Sequence, residues 1–375
     1  MREADLEDAV RQYTICNACR YCEGYCPVWP TLSSLTFVDK GDVVFMANLC
    51  LDRRDCYYAC PYVPGVHEFA INIPEINRRL RDDTYRDATF NVLGSTWGRI
   101  AFALMFLPIL ALWALFAPAI LHPGATFYGL VPKYVIIYSG TAALVYLVLI
   151  AVLALIRYSR TVGPRYRPRL RALPGTVAGL LRHDWFSDAH YPREVEGDLR
   201  LAYHLLIFYG FLMDLISTLL GMVYEDILHV SSPFPAQNPT VITGLVGGVM
   251  LLAGTALALY ARIIARREQK FSSTASFDVV LTVLLMSVAV TGLATLAARM
   301  SLAYGAMYAL LLVHYSLIYA LFVLAPLSST FLHALLRPYS LWIYNSVVGK
   351  RGLTVKLRLA ADAGAGADFD RRKTA

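Results

Sequence analysis

No cysteine follows position 60, and charged residues make up only 16% of the 375-residue chain. A soluble domain carries about 25% charged residues. The shortage is uneven: the first hundred residues are composed like a soluble protein, and the deficit starts near Gly98. That pattern excludes a single water-soluble globule and predicts a domain boundary there. The N-terminus lacks an apolar core, since Met1–Val10 is acidic at Glu3, Asp5, Glu7 and Asp8. No secretory leader is therefore expected, and the clustered thiols are expected to stay reduced and free to bind metal rather than to form a disulfide framework. No glycine-rich fingerprint follows a strand, so the chain is not expected to bind a flavin or nicotinamide itself. The net charge of +7 could suggest nucleic acid. Its placement argues otherwise, and no nucleic-acid partner is expected.

Six apolar stretches are present: Ile100–Leu121, Tyr134–Ile156, Leu199–Tyr224, Val241–Ile264, Phe277–Ala298 and Leu302–Leu327. A helix needs about 20 residues to cross a hydrocarbon core, and a helix satisfies its own backbone groups there. Lys and Arg number eleven up to Arg99, nine in Arg157–Arg200, four in Arg262–Lys270 and eight from Arg337 onward. The opposite side would hold only Lys133 and Arg299. Positive residues stay inside, so the reading is a multi-pass protein of the inner (cytoplasmic) membrane with both termini cytoplasmic. The expected organisation is a cytoplasmic domain over 1–97, a six-helix transmembrane domain over 98–340 with a cytoplasmic loop at 157–198, and a partly disordered tail over 341–375. The loop is rich in Arg and Pro and then aromatic (His183, Trp185, Phe186, Tyr191), which suits membrane lipid or the underside of the head. Gly244, Gly247, Gly248 and Gly254 in the fourth stretch predict close helix packing.

The cysteines sit at 16, 19, 22, 26, 50, 56 and 60. Cys16, Cys19, Cys22 and Cys26 before Pro27 form a C-x₂-C-x₂-C-x₃-C-P run, the spacing of bacterial ferredoxin-type clusters. A cubane offers iron corners a few ångströms apart, so three thiolates converge from one tight loop while the fourth serves a second cluster. The alternative is zinc, which C-x₂-C pairs also bind. The second group, Cys50, Cys56 and Cys60 before Pro61, keeps the C-x₃-C-P ending but has Arg53 where a further cysteine would stand. If ligands are exchanged as in two-cluster ferredoxins, Cys16, Cys19, Cys22 and Cys60 hold a [4Fe–4S] cluster. Cys26, Cys50 and Cys56 remain for a second centre, either [3Fe–4S] or [4Fe–4S] with a non-cysteine ligand. Their spacing resembles that of the three-iron centre in succinate dehydrogenase iron–sulfur subunits. Arg53 and Arg54 either raise the potential of that centre or form a plain solvated pair.

Ionisable residues within membrane spans are functional candidates. His204 lies near the cytoplasmic start of the third span and His333 at or beyond the cytoplasmic end of the sixth, the side that carries the cysteines. Two neutral imidazoles on facing helices are what a b-type haem requires. His314 stands nineteen residues before His333, about 28 Å along a helix, so one haem cannot take both; it is the weaker haem candidate. Asp214 is read as a proton or quinone contact, or as a partner for His314. His229 reads as an interface residue and His67 as structural.

The head, with the NLC-x₅-C-YYAC run and His67–Pro74 (HEFAINIP), resembles the tricarballylate (citrate) utilisation protein B family. The likeness continues through Tyr203–Leu212 and the His314…His333 segment. The family implies a mainly α protein: a small ferredoxin-like, two-cluster iron–sulfur head joined to a bundle of about six transmembrane helices. It also implies an FAD-dependent dehydrogenase partner acting on tricarballylate, with electrons passing through iron–sulfur clusters and haem b toward quinone. The chain itself would do no substrate chemistry. Arg53 stands where the family carries a cysteine, and Tyr203-His204 where it commonly has two histidines, so one imidazole remains there. The membrane half is distantly similar to the nitrate reductase gamma subunit. His204 and His333 match one of its haem pairs, whereas a second would need Asp214 with His314. Two rival readings are an anchor subunit for another flavoprotein or a heterodisulfide-type reductase, and a transporter with a zinc-stabilised cytoplasmic domain.

Overall fold

The computed structural model describes residues 2–23, 28–52, 54–88, 96–120, 132–184, 195–230, 233–268, 276–327 and 329–347. The expectations on Cys26, Arg53, Trp185, Phe186, Tyr191 and the tail beyond Val347 lie outside them. The protein is mainly helical, and no strand occurs among the described residues.

In the head, α1 (Glu3–Cys19) opens with Glu3 and Asp5 in its first turn, where negative charge meets the positive helix end. It stops at Arg20, whose left-handed backbone (φ 56°) returns its N–H to the Cys16 carbonyl. A four-residue turn, α2 (Trp29–Leu32), follows. Helix α3 (Lys40–Leu49) starts on a capping box: the Asp39 carboxylate accepts the Asp42 N–H, and the Asp42 carboxylate accepts the Asp39 N–H. After the short α4 (Asp55–Tyr58), α5 (Ile73–Ala88) is amphipathic, burying Ile76, Leu80, Thr84 and Ala88 at helical spacing.

Beyond the head, α6 (Thr96–Leu104) and α7 (Leu107–Ile120) are separated at Met105–Phe106. Pro108 has no N–H to offer the preceding turn, so it starts a helix where it would interrupt one. The first expected span is thus two shorter helices. Among the described residues five helices are long and apolar enough to cross a membrane: α8 (Lys133–Val162), α10 (Val195–Met222, continued by a π turn over Val223–Ile227), α11 (Pro239–Glu268), α12 (Ser276–Met300) and α13 (Tyr304–Leu324). The short α9 (Leu173–Arg182) and the last helix α14 (Ser329–Val347) complete the α-helices among the described residues.

The chain forms two compact units. The first gathers the described parts of Met1–Phe90, Ala151–Tyr191 and Leu332–Ala375. Its core joins Tyr13, Phe45 and Leu80 of the head with Tyr158, Tyr166 and Leu336. Phe45 and Tyr166 stack with ring centroids 4.2 Å apart, and the Tyr166 hydroxyl donates to fully buried Asp42. The second unit gathers the described parts of Asn91–Ile150 and Pro192–Phe331. Within it α10 and α11 run backbone against backbone. A Cβ at Gly210 would lie 2.7 Å from the Leu251 nitrogen, and one at Gly254 2.8 Å from that of Ile207. Small residues permit this approach. Leucines and valines such as Leu144, Val148, Leu219 and Val249 point outward, as a lipid solvent requires. This is a membrane protein.

Candidate iron–sulfur site

Cys16 and Cys19 stand one turn apart at the end of α1. The left-handed Arg20 turns the chain so that Cys22 comes back beside them. Cys60 arrives from the other side, just after α4, and its sulfur accepts the Tyr62 N–H at 3.4 Å. Tyr62 is braced in turn: its carbonyl takes the Ile71 N–H at 2.8 Å, and its ring meets that of His67 edge-on at 4.9 Å. The His67 Nδ1 accepts the Phe69 N–H at 3.1 Å. That is a structural use of His67.

Cys16, Cys19, Cys22 and Cys60 line one small cavity together with Trp29 and Ile71. They are the four thiols that ligand exchange assigns to one cluster. A second cavity is lined by Cys16, Cys22, Cys56 and Cys60 with Tyr13 and Trp29. Burial pushes the Cys22 thiol up, a hydrogen bond from the Trp29 side chain opposes this, and the neighbouring sulfurs of Cys60 and Cys19 push it further. Burial likewise raises the Cys60 thiol, against the Tyr62 N–H and with the Cys19 sulfur. Crowded, half-buried thiols resist ionisation unless a cationic core shares their charge. Converging soft sulfur, an apolar wall and N–H···S donors suit an iron–sulfur core. Among the described residues no three His, Cys, Asp or Glu side chains are drawn into single-ion geometry. Thiolates on a cubane stand farther apart, because each binds a different iron.

Cys50 caps α3 and is 9% exposed. Its sulfur accepts the Asp52 N–H at 3.4 Å. Asp52 (φ 54°) and Arg54 (φ 68°) both hold left-handed backbone, a conformation costing about 1–3 kcal/mol in a non-glycine residue. Arg81 of α5 secures this turn, donating to the Cys50 carbonyl at 3.0 Å and lying 3.9 Å from the Asp52 carboxylate. Burial alone would lower the Arg81 guanidinium; the Cys50 sulfur and Asp52 outweigh it and raise it. Arg337 of α14 donates to the Leu49 carbonyl at 3.3 Å. The sequence reading missed both arginines. For Arg81 the signal was there: an arginine four residues after buried Asn77 and next to buried Leu80.

The histidines divide. His204 lies on α10 in the second unit, whereas His333 lies on α14 in the first, past the last membrane-capable helix. His314 on α13 has its Nδ1 3.0 Å from the Thr291 hydroxyl of α12. Its ring fills the space above Gly292, where a Cβ would come within 2.9 Å of Cε1. Asp214 of α10 faces Gly247 of α11 in a similar way. His229 is exposed, just after the π turn. In that turn Glu225 and Asp226 pair with Lys133 at 3.5 and 2.7 Å.

A family model described as the Citrate utilization protein B Fer4-like domain matches residues 9–87, the segment that carries the described cysteines. A second, described as Citrate utilization protein B, matches residues 92–345. Citrate utilization protein B of Escherichia coli is 29% identical over 365 residues, 93% of this chain and 94% of that protein. No solved structure matches. Two models together spanning head and membrane helices, one of them covering most of the chain, give the assignment: the chain belongs to the Citrate utilization protein B family.

Proposed function

We propose that this protein is a membrane-bound electron carrier, serving a citrate- or tricarballylate-type pathway. It would take electrons from an FAD-dependent dehydrogenase and deliver them to quinone. The observation that carries the proposal is the shared cavity of Cys16, Cys19, Cys22 and Cys60. These come from two sequence groups that only the folded head unites.

In this reading Cys16, Cys19, Cys22 and Cys60 hold a [4Fe–4S] cluster, and Cys26, Cys50 and Cys56 hold a second centre. The bound groups supply one-electron transfer; the chain supplies ligands, N–H donors and exclusion of water. Trp29 and Tyr62 steady the sulfurs of Cys22 and Cys60. The exposed Cys19 and its exposed neighbour Tyr21 mark the edge nearest to an incoming donor. On sequence grounds His204 and His333 are the axial pair for haem b. His314, wedged against Gly292 and bonded to Thr291, suits helix packing better than ligation. The head faces the cytoplasm, in keeping with the distribution of Lys and Arg.

The test is a visible spectrum of the anaerobically purified full chain, reduced with dithionite and then mixed with a soluble quinone. Haem α and β bands that appear on reduction and decay with quinone are expected. Their loss in His333→Ala or His204→Ala would support the axial pair, and bands unchanged in both variants would remove it.

A further inference from the structure

Helix α9 of the first unit has one side tied down and another left open. On the inner side the Asn345 amide donates to the Thr176 hydroxyl at 2.9 Å, and Leu180 packs against the unit's core. Just ahead of the helix, the Ser346 hydroxyl accepts the Arg169 N–H and the Trp342 indole donates to the Arg169 carbonyl, both at 2.9 Å. The outer side carries Leu170, Leu173, Val177 and Leu181, spaced by three, four and four residues, which is a single helical stripe. These four are 38–78% exposed. Seven arginines and no acid lie between positions 157 and 182, and all of them except Arg157 are exposed. Arg171 and Arg182 bracket the stripe, eleven residues apart, about 16 Å along a helix. Asp184, 2.8 Å from Arg182, offsets part of that charge.

The bonds of this unit also fix how far α9 stands from a membrane-capable helix. The apolar stretch of α8 ends at Ile156. Two residues on, the Tyr158 hydroxyl lies 2.7 Å from that of Ser340 in α14. Ser346, which holds Arg169, is six residues farther along α14, about 9 Å; a headgroup layer is about 5–8 Å thick. Gly163, with left-handed backbone (φ 85°), turns the chain away from α8 as soon as that helix ends. We infer that α9 lies in the plane of the membrane surface, with Leu170, Leu173, Val177 and Leu181 among acyl chains and Arg171 and Arg182 on the phosphates of anionic phospholipid. An apolar stripe bracketed by arginines is complementary to an anionic leaflet, since the long side chains reach the headgroups while the stripe sinks below them. The contact needs no cluster, haem or electron partner, so it stands or falls apart from the function proposed above.

The experiment uses the full chain in lipid nanodiscs doped with one of two probes that carry the same acyl-chain diazirine, anionic phosphatidylglycerol or net-neutral phosphatidylcholine. Adducts formed on illumination are mapped by peptide mass spectrometry, with label in Tyr134–Ile156 of α8 as the reference. Both probes should label Leu170–Leu181, the anionic one about fivefold more strongly for each arginine engaged. The double variant Arg171→Gln with Arg182→Gln should bring that preference toward parity and leave α8 labelled as before. Val177→Glu should remove the adducts of both probes from α9; should it unfold the helix, the arginine pair still decides. Wild type with α8 labelled and no adduct in Leu170–Leu181 overturns the inference, and so does equal labelling there by the two probes. Hydrogen exchange that slows at α9 only when two copies share a disc would overturn it too, by giving the stripe to a protein contact.

Discussion

Polar side chains in both units bond back to their own helices, as Thr84, Thr176 and Ser340 do in the first; the units differ in what is added to that. In the first unit buried and half-buried groups also bond across the chain: Tyr13 to Asn77 at 2.9 Å, Tyr158 to Ser340 at 2.7 Å, and Asn345 to Thr176 at 2.9 Å. In the second they mostly bond back to their own helix four residues earlier. Thr218 donates to the Asp214 carbonyl, Thr255 to Leu251, Ser287 to Val283 and Thr295 to Thr291, all within 3.0 Å. The difference follows from what each unit is built of. Short helices and loops gain specificity from long-range polar contacts that can be fully satisfied. Long apolar helices close their hydrogen bonds locally before they meet. Exceptions in the second unit include Thr291 with His314, Trp113 with Ser316, Ser139 with Tyr315, Ser217 with the Thr240 carbonyl and Tyr319 with the Met105 carbonyl.

The largest expected effect separates the units outright. Cys60→Ser should abolish the EPR signal of the first cluster while the circular dichroism of the membrane helices stays unchanged. Coupled loss of both would erase the distinction. Next comes Gly254→Leu, which would drive a side chain into the Ile207 backbone. Overpacking of this kind costs about 1–3 kcal/mol or more; thermal unfolding in detergent should show it, with the cluster signals retained. A smaller pair of changes sharpens the contrast. Tyr166→Phe leaves the fully buried Asp42 short of a donor, a loss of about 1–3 kcal/mol. Ser287→Ala removes only a bond to its own helix and should cost about 0.5 kcal/mol or less. Parallel denaturant or thermal midpoints compare the two, and equal losses would contradict the account.

The smallest effect is one of pH. Burial pushes the Glu75 carboxyl up, but Arg78 and Arg79, bonded to it, outweigh this and hold it below its ordinary range. A depressed carboxyl stabilises the fold above its unfolded value, and that contribution is lost as pH falls through the folded one. Glu75→Gln should therefore reduce the head's stability near neutrality slightly and flatten its decline in acid, as read from denaturation midpoints across the acid range.

The parts of this molecule legible in sequence are those set by local spacing. Cys16, Cys19 and Cys22 announce a tight ligand loop because their intervals match one helix end and one turn. The long apolar runs announce spans because lipid forbids other structures. What sequence did not show depends on distant contacts. Nothing near Tyr166 in the chain indicates that its ring stacks on Phe45 or that Asp42 accepts its hydrogen bond. Neither does the run around Arg337 reveal that it reaches Leu49. The division at Met105–Phe106 had its sign in Pro108, masked by an unbroken apolar run. His314 offered a plausible ligand in sequence; only the fold sets it against Gly292 and Thr291.

The most direct test of the central claim, that thiols from two cysteine groups share one inorganic core, is metal and acid-labile sulfide analysis of chain purified without oxygen. The account predicts iron accompanied by sulfide. Zinc in stoichiometric amount with no sulfide would contradict it.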